Sequence, residues 1–302
     1  MSERQPIPTL SILMPHYEDP AGAEASLESI TRQRWRGTRE VVIYDDGSSA
    51  VAFDELQTVC ETSPEPIRIL RNETNRGRPF ARNSLLDAAD GKYTAWLDAG
   101  DEWYPDKIGA QLDAIYRTRH KGFDHPVWVT CNYDWQWEGG KPKLRRQRVE
   151  GDQVTALFLG GLAAYLWTTM ALTSAFKQVG YFDLELPRLQ DLDFFLRFCE
   201  KGGRLVMPDT QDPLCVYHKS DIGRDGQQVL ECFKYIYEKH APALSRHSSG
   251  FRRNRELHMY MHAARFTRNN GDRLRTAALL GRSALAHPAG FAKRMWKTKG
   301  RL

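Results

Sequence analysis

Cysteine is scarce in this chain of 302 residues, and the few cysteines are not paired. Cys60, Cys131, Cys199, Cys215 and Cys232 form no Cys-x-x-Cys spacing, and their number is odd. This argues against a disulfide framework or a thiolate zinc site, and for reduced thiols in a cytosolic compartment. Long hydrophobic runs are also missing. The stretch from Gln153 to Phe176 has no charged residue, but Gly160-Gly161, Thr168-Thr169, Thr173 and Ser174 break it into short apolar pieces. A membrane-spanning helix needs about 20 predominantly apolar residues, so the pattern predicts a short helix, a turn and a buried strand instead. The opening Met1-Ser2-Glu3-Arg4-Gln5-Pro6 has no apolar core of a signal peptide, and secretion by that route is not expected. No internal repeat or low-complexity tract is present.

Acidic residues are nearly absent from the last fifty positions. From Phe251 to Leu302 thirteen Lys and Arg stand against Glu256 and Asp272, a net charge of +11. The whole chain carries +5, so residues 1–250 carry about −6, and the basicity belongs to the tail. The closing stretch mixes Phe291, Met295 and Trp296 with Lys and Arg. That combination suits an anionic membrane surface, and equally a solvated helical face or a cap over a cleft. No RNA- or DNA-binding motif accompanies it, so nucleic acid is not expected as a partner.

The first 120 residues alternate between two textures. Apolar runs at Leu10–Met14, Glu40–Tyr44, Ile67–Leu70 and Lys92–Trp96 read as strands, the first ended by Pro15. Helical spacing covers Ala23–Arg34, Phe53–Cys60, Ala81–Ala89 and Pro105–Arg119. Strands alternating with helices imply a mostly parallel sheet with crossover connections. Beyond Pro126, Val127–Cys131 and Tyr133–Trp137 alternate, with a turn signal at Glu138-Gly139-Gly140-Lys141. Thr168–Leu172, Leu205-Val206 and Leu214–Tyr217 read as short strands, and the chain is helical from Gly226, with Leu274–Ala286 one striped helix. The length accommodates one domain of about 200–250 residues and an appendage, or two small domains.

The chemistry concentrates in acids. Asp45-Asp46 follow the second strand, Asp98 and Asp101 follow the fourth, and Gln190-Asp191-Leu192-Asp193 open a helix expected over Phe194–Glu200. In an open α/β sheet, ligands bind at the carboxyl ends of the strands. Acidic oxygens there suit a hard divalent cation, which takes one or two carboxylates and completes its shell with phosphate and water. The Asp98 loop also reads as a solvated acidic turn before the next helix, and Asp193 as an N-terminal complement to a helix dipole.

Taken in order, these motifs resemble family 2 glycosyltransferases of the GT-A fold over roughly residues 8–220. The resemblance rests on Pro15-His16-Tyr17, Asp45-Asp46-Gly47-Ser48, Asn75-Arg76-Gly77 with Ala81-Arg82-Asn83, the Asp98 loop with Pro105-Asp106-Lys107, Val179-Gly180-Tyr181-Phe182-Asp183, and Asp191-Leu192-Asp193. It implies a GT-A domain over 1–225, with a nucleotide-sugar half at about 8–110 and an acceptor half at about 111–225. A basic helical extension would fill 226–302. It also implies that Pro15, Tyr17, Asp45, Asp46, Gly77, Arg82, Asn83 and Asp98 line a nucleoside-diphosphate-sugar site, most naturally for a UDP-sugar. Asp98, Asp101 and His218 would hold a divalent cation, Mn or Mg. Asp191 would be the base that takes the acceptor's hydroxyl proton during an inverting transfer.

Two departures stand out. Gly100 occupies the third place of the family's Asp-x-Asp motif, and Gln190 stands where a Glu usually precedes the base. They leave open an alternative, a GT-A module that binds nucleotide-sugar but turns it over weakly. A nucleotidyltransferase is disfavoured, because Pro15-His16-Tyr17-Glu18-Asp19 is not a Gly-rich basic phosphate loop. The resemblance implies one sugar added to a glycan or lipid-linked acceptor in surface polysaccharide assembly. It places the enzyme in the cytoplasm, or peripherally on the inner face of the membrane through residues 251–302.

Overall fold

The structure, a computed structural model, describes residues 9–120, 125–137, 140–219 and 225–297. The opening hexapeptide, the turn residues 138–139 and the last five residues lie outside this range. Two compact units result, one from the chain up to Glu185 with Phe194–Ser220, the other from Leu186–Asp193 with the chain beyond Asp221.

The first unit begins with three βα pairs: β1 (Leu10–His16), α1 (Pro20–Thr31), β2 (Arg39–Asp46), α2 (Ala50–Thr62), β3 (Ile67–Asn72) and α3 (Arg78–Ala88). Then come β4 (Tyr93–Trp96), β5 (Glu102–Trp103), α4 (Lys107–His120), β6 (Val127–Val129), β7 (Tyr133–Trp137) and β8 (Lys143–Arg145). It closes with α5 (Gln153–Leu159), a 3-10 turn at Leu166–Thr168, β9 (Met170–Leu172), α6 (Thr173–Lys177), α7 (Gln190–Glu200), β10 (Arg204–Val206) and β11 (Cys215–Lys219). The start of α7, up to Asp193, counts with the second unit.

The main sheet has the order β10-β6-β9-β4-β1-β2-β3. All its neighbours run parallel except β9, which is antiparallel to both β4 and β6. Its central strands are covered on both faces, so they read as continuous apolar runs. Leu10, Ile12, Leu13, Met14, Val41, Val42 and Ile43 are fully buried. β1 does not stop at Pro15 but continues to His16, in register with Asp45 of β2. The β1–β4 ladder has already ended at Leu13–Trp96, so the missing N–H of Pro15 breaks no bond there. The uncharged stretch 153–176 holds the expected short helix (α5), turn and strand (β9), and adds a 3-10 turn at Leu166–Thr168 and the start of α6. Among the described residues no helix is long and apolar enough to cross a membrane.

A second sheet, β5-β11-β7-β8, carries the hairpin expected after Trp137, with Tyr133 opposite Arg145. Beneath it Cys131 and Cys215 lie sulfur to sulfur at 3.5 Å, both fully buried, and burial pushes the Cys215 thiol well above its usual range. Aromatic rings fill the other side of the main sheet. Trp128 stacks on Phe198 at 3.8 Å and on Phe194 at 5.2 Å, and Phe182 stacks on Phe194 at 4.1 Å.

The second unit is helical: α8 (Gly226–Lys239), α9 (Ala241–Ser245), α10 (Ser249–Asn269), α11 (Arg273–Ala286) and α12 (Pro288–Lys297). Its core is small, built on Leu230, Met259, Ala263, Ala264 and Leu279.

Candidate active site

β1 is flanked by β2 on one side and β4 on the other, and the chain reverses its direction of sheet growth between them. Such a switch point splays the loops at the strands' carboxyl ends apart and leaves a crevice. Three loops border it: residues 17–19 after β1, 47–49 after β2 and 97–101 after β4.

Asp45 is fully buried at the end of β2. Its Oδ1 accepts from Ser48 Oγ at 2.5 Å and meets His16 Nδ1 at 2.9 Å, and Arg71 Nε lies 3.2 Å from Oδ2. Arg71 also donates to the Ser48 carbonyl and stacks 3.7 Å over Phe53. Asp45 thus shapes the 45–48 turn through Ser48, His16 and Arg71. Asp46, 4 % exposed, accepts the backbone N–H groups of Arg76 (2.9 Å) and Gly77 (2.7 Å). The two loops meet closely: at Gly47, with φ +77°, a Cβ would sit 2.4 Å from the Thr74 carbonyl carbon. Only glycine fits such a turn against backbone. Glu18, at φ +54°, braces Ser49 through both carboxylate oxygens, and Tyr17 beside it is 51 % exposed.

The loop after β4 is held from α1. Ser26 Oγ donates to the Asp101 carbonyl at 2.7 Å and accepts from the Gly100 N–H at 3.1 Å. Ser29 Oγ accepts from the Trp103 N–H at 3.0 Å, and Gln33 bridges the Tyr104 carbonyl and the Ile108 N–H. Gly100 has φ +90°, and a Cβ there would stand 3.3 Å from Asp19 Oδ2. The missing acid of the motif thus has a local cause: the turn takes a left-handed residue beside another carboxylate.

Arg82, 1 % exposed, donates from one terminal nitrogen to both oxygens of Asp98, each at 3.1 Å. Burial opposes the charge on Asp98, but Arg82 and Arg78 outweigh it and hold the carboxyl below its usual range. Asp101 is pushed the other way, well up, by burial and by the negative charge of Asp98. Its Oδ1 accepts the His218 N–H at 3.2 Å. The Asn83 side-chain amide clamps the Phe182 backbone, donating to the carbonyl at 3.0 Å and accepting from the N–H at 2.7 Å.

The expected ligand trio does not assemble. Among the described residues no three His, Cys, Asp or Glu side chains are arranged to hold a metal. The His218 ring meets Glu102 at 2.9 Å, and Asp98 is turned onto Arg82. A cation of the Mg²⁺ type needs only one or two carboxylates when phosphates and water supply the rest. Asp98 and Asp101, near enough for one to raise the other, fit that smaller demand.

Asp191 lies in the second unit, half-buried in the first turn of α7. That helix starts at Gln190, one turn earlier than the sequence predicted, so both acids stand at its positive end. Leu189 precedes it at φ +59°, a strained conformation for a bulky residue of the kind that collects at functional sites. Asp193 is fully buried, 2.8 Å from Lys239 Nζ and 3.1 Å from His240 Nε2. Sequence reasoning missed Arg78, an exposed cation acting on both Asp98 and Asp101, and His16 under Asp45. The available signal was Asn75-Arg76-Gly77-Arg78-Pro79, where two arginines flank a glycine at a helix start.

A family model described as glycosyl transferase family 2 matches residues 11–174. The amylovoran biosynthesis glycosyltransferase AmsB of Erwinia amylovora is 26% identical over 222 residues, covering 73% of this chain and 72% of that one. The UDP-Glc:alpha-D-GlcNAc-diphosphoundecaprenol beta-1,3-glucosyltransferase WfgD of Escherichia coli is 32% identical over 108 residues, 36% of this chain and 41% of its own. The crystal structure of S. aureus TarS 1-349 in complex with UDP-GlcNAc superposes with a TM-score of 0.63 at 16% identity, covering 92% of this chain and 81% of that one. At that identity the likeness is one of fold.

Proposed function

The chain belongs to glycosyl transferase family 2, and from that premise we propose an inverting transfer of one sugar from a nucleoside-diphosphate sugar to a hydroxyl. A UDP-sugar is the favoured donor, as the name of WfgD and the ligand of TarS support. The acceptor is a glycan or a lipid-linked glycan in bacterial surface polysaccharide assembly, as the names of AmsB and WfgD support. The observation that carries the reading is the switch-point crevice with Arg78, Arg82, Asp98 and Asp101 gathered at its β4 side.

The residues divide the work. Tyr17 and the loop held by Asp46 receive the nucleotide, with Gly77 keeping the backbone low. Pro15 stands in the last pairs of β1, just before the loop that carries Tyr17. Arg78 meets the diphosphate, and Arg82 acts through Asp98 by fixing its carboxylate. Asp98 and Asp101 would hold a divalent cation, Mn or Mg. When bound, that cation neutralises charge developing on the leaving diphosphate. Asp191 takes the acceptor hydroxyl proton as the oxygen attacks C1, and no covalent sugar–enzyme bond is required. The donor half covers about 8–110, the acceptor half about 111–225, and the basic helices 226–302 are an extension. The site of action is the cytoplasmic side of the membrane.

The test is a panel of UDP-, GDP- and dTDP-sugars with Mn²⁺, Mg²⁺ or EDTA, reading released nucleoside diphosphate. One donor should release in a metal-dependent way. Asp191→Asn should lower acceptor-dependent release by about 10² to 10⁴-fold while donor binding stays. Tight nucleotide binding without release from any donor, with acceptors present, would sink the transferase assignment in favour of a binding module.

A further inference from the structure

We propose that α11 and α12 form a docking face for an anionic lipid bilayer. This deepens the reading of a lipid-linked acceptor and rests on it for its purpose, though not for its physics. A surface helix ordinarily turns its apolar stripe inward and its polar side to water. α11 is apolar on two sides: Leu279 and Leu280 pack inward on the unit's core, and a second stripe faces outward. Its buried residues are Thr276, Leu279 and Ser283, two of them hydroxyl-bearing, and Ser283 donates to the Leu257 carbonyl of α10. Leu274 and Leu285 are 88% and 82% exposed. With the exposed Ala278 and Gly281 they follow helical spacing, so one apolar stripe runs the length of the solvent side. Arg273, Arg275 and Arg282 are exposed along its borders.

α12 continues the pattern. Phe291 and Met295 are half-buried, whereas Trp296 is 87% exposed, with exposed Lys293 and Lys297, four residues apart, together along one flank of it. None of its ten residues is fully buried. A helix so short is marginal in water without tertiary cover, and only its Phe291–Met295 side is partly covered within the unit. Aromatic and aliphatic side chains projecting beside Lys and Arg match the interface of a bilayer, where the apolar groups enter the headgroup boundary and the cations stay at the phosphates.

Charge selects the occupant. α11 and α12 carry Arg273, Arg275, Arg282, Lys293, Arg294 and Lys297 and no Asp or Glu, a net +6. A second copy would set two such faces against each other, like charge against like. An anionic lipid surface neutralises them and accepts the leucines and Trp296 as well.

The experiment uses the full chain and co-sedimentation with vesicles, either of phosphatidylcholine alone or with phosphatidylglycerol. Binding should require phosphatidylglycerol and weaken with salt. Lys293→Glu with Lys297→Glu should lower it by about tenfold or more, and Leu274→Ser with Leu285→Ser should lower it comparably. Both variants should keep wild-type helicity and wild-type release from a soluble donor. Vesicles should also shift tryptophan emission to the blue, an effect lost in Trp296→Phe and kept in Trp137→Phe. Equal binding of variants and wild type, no binding to phosphatidylglycerol, or a dimer that the leucine substitutions dissociate would each overturn the proposal. Failure of the transferase reading shows separately, as absent donor release in wild type with vesicle binding intact.

Discussion

Gly100 and Asp98 show how far a motif can be read residue by residue. The place of the acidic loop was legible, because a buried apolar strand leads into it. The reason for a glycine inside it was not, because φ +90° and the nearby Asp19 carboxylate come from folding. Gly100→Asp is therefore expected to lose about 1 to 2 kcal/mol of stability and to gain no metal-dependent turnover. Urea denaturation and the donor assay check the two halves. Asp98→Ala should cut donor release about 100-fold or more. It also strips a buried guanidinium of its carboxylate, so about 3 kcal/mol of stability should go with it. The partner choices of Asp45 and Asn83 were illegible for the same reason. A motif gives a residue's place in the chain, whereas His16, Ser48, Arg71 and the Phe182 backbone reach those side chains only in the fold.

At the scale of elements, α1 does more than cover the sheet. Ser26, Ser29 and Gln33 lie at spacings of three and four and are all fully buried, forming a polar seam that ties the 98–104 segment to the helix and its C-terminal end. Hydrophobic periodicity marks such positions as solvent-facing, so the seam was invisible to it. Ser26→Ala should cost about 1 to 2 kcal/mol and lower kcat more than donor KM, because it removes the hydroxyl that donates to the Asp101 carbonyl and loosens the acid loop. Thermal melts and steady-state kinetics measure both. The strands came out longer than their apolar cores because pairing continues through Asp45, Asp46 and Asn72. β9, antiparallel between β4 and β6, is a long-range choice that no local pattern encodes.

For the whole molecule, composition marks the basic tail, but not the return of residues 186–193 to the helical unit. That return depends on Asp193 meeting Lys239 and His240. Proton linkage follows from another histidine there. Burial, with Arg255 and Arg294 beside it, pushes His258 down to about 4, against an ordinary value of 6.5. Between those values the unfolded chain takes up a proton that the folded one refuses. Stability is then full above pH 6.5 and falls as pH drops through the window. The urea midpoint should fall between pH 7 and pH 5, and His258→Gln should flatten that fall.

The sealed pair Cys131 and Cys215 gives the molecule an internal clock. Neither sulfur meets solvent while β7 and β11 stay zipped from Cys215–Tyr133 onward. An alkylating reagent can reach them only during an opening of the second sheet. The rate of their modification in the native protein, set against Cys60 at a more open position, therefore reads the free energy of that opening directly.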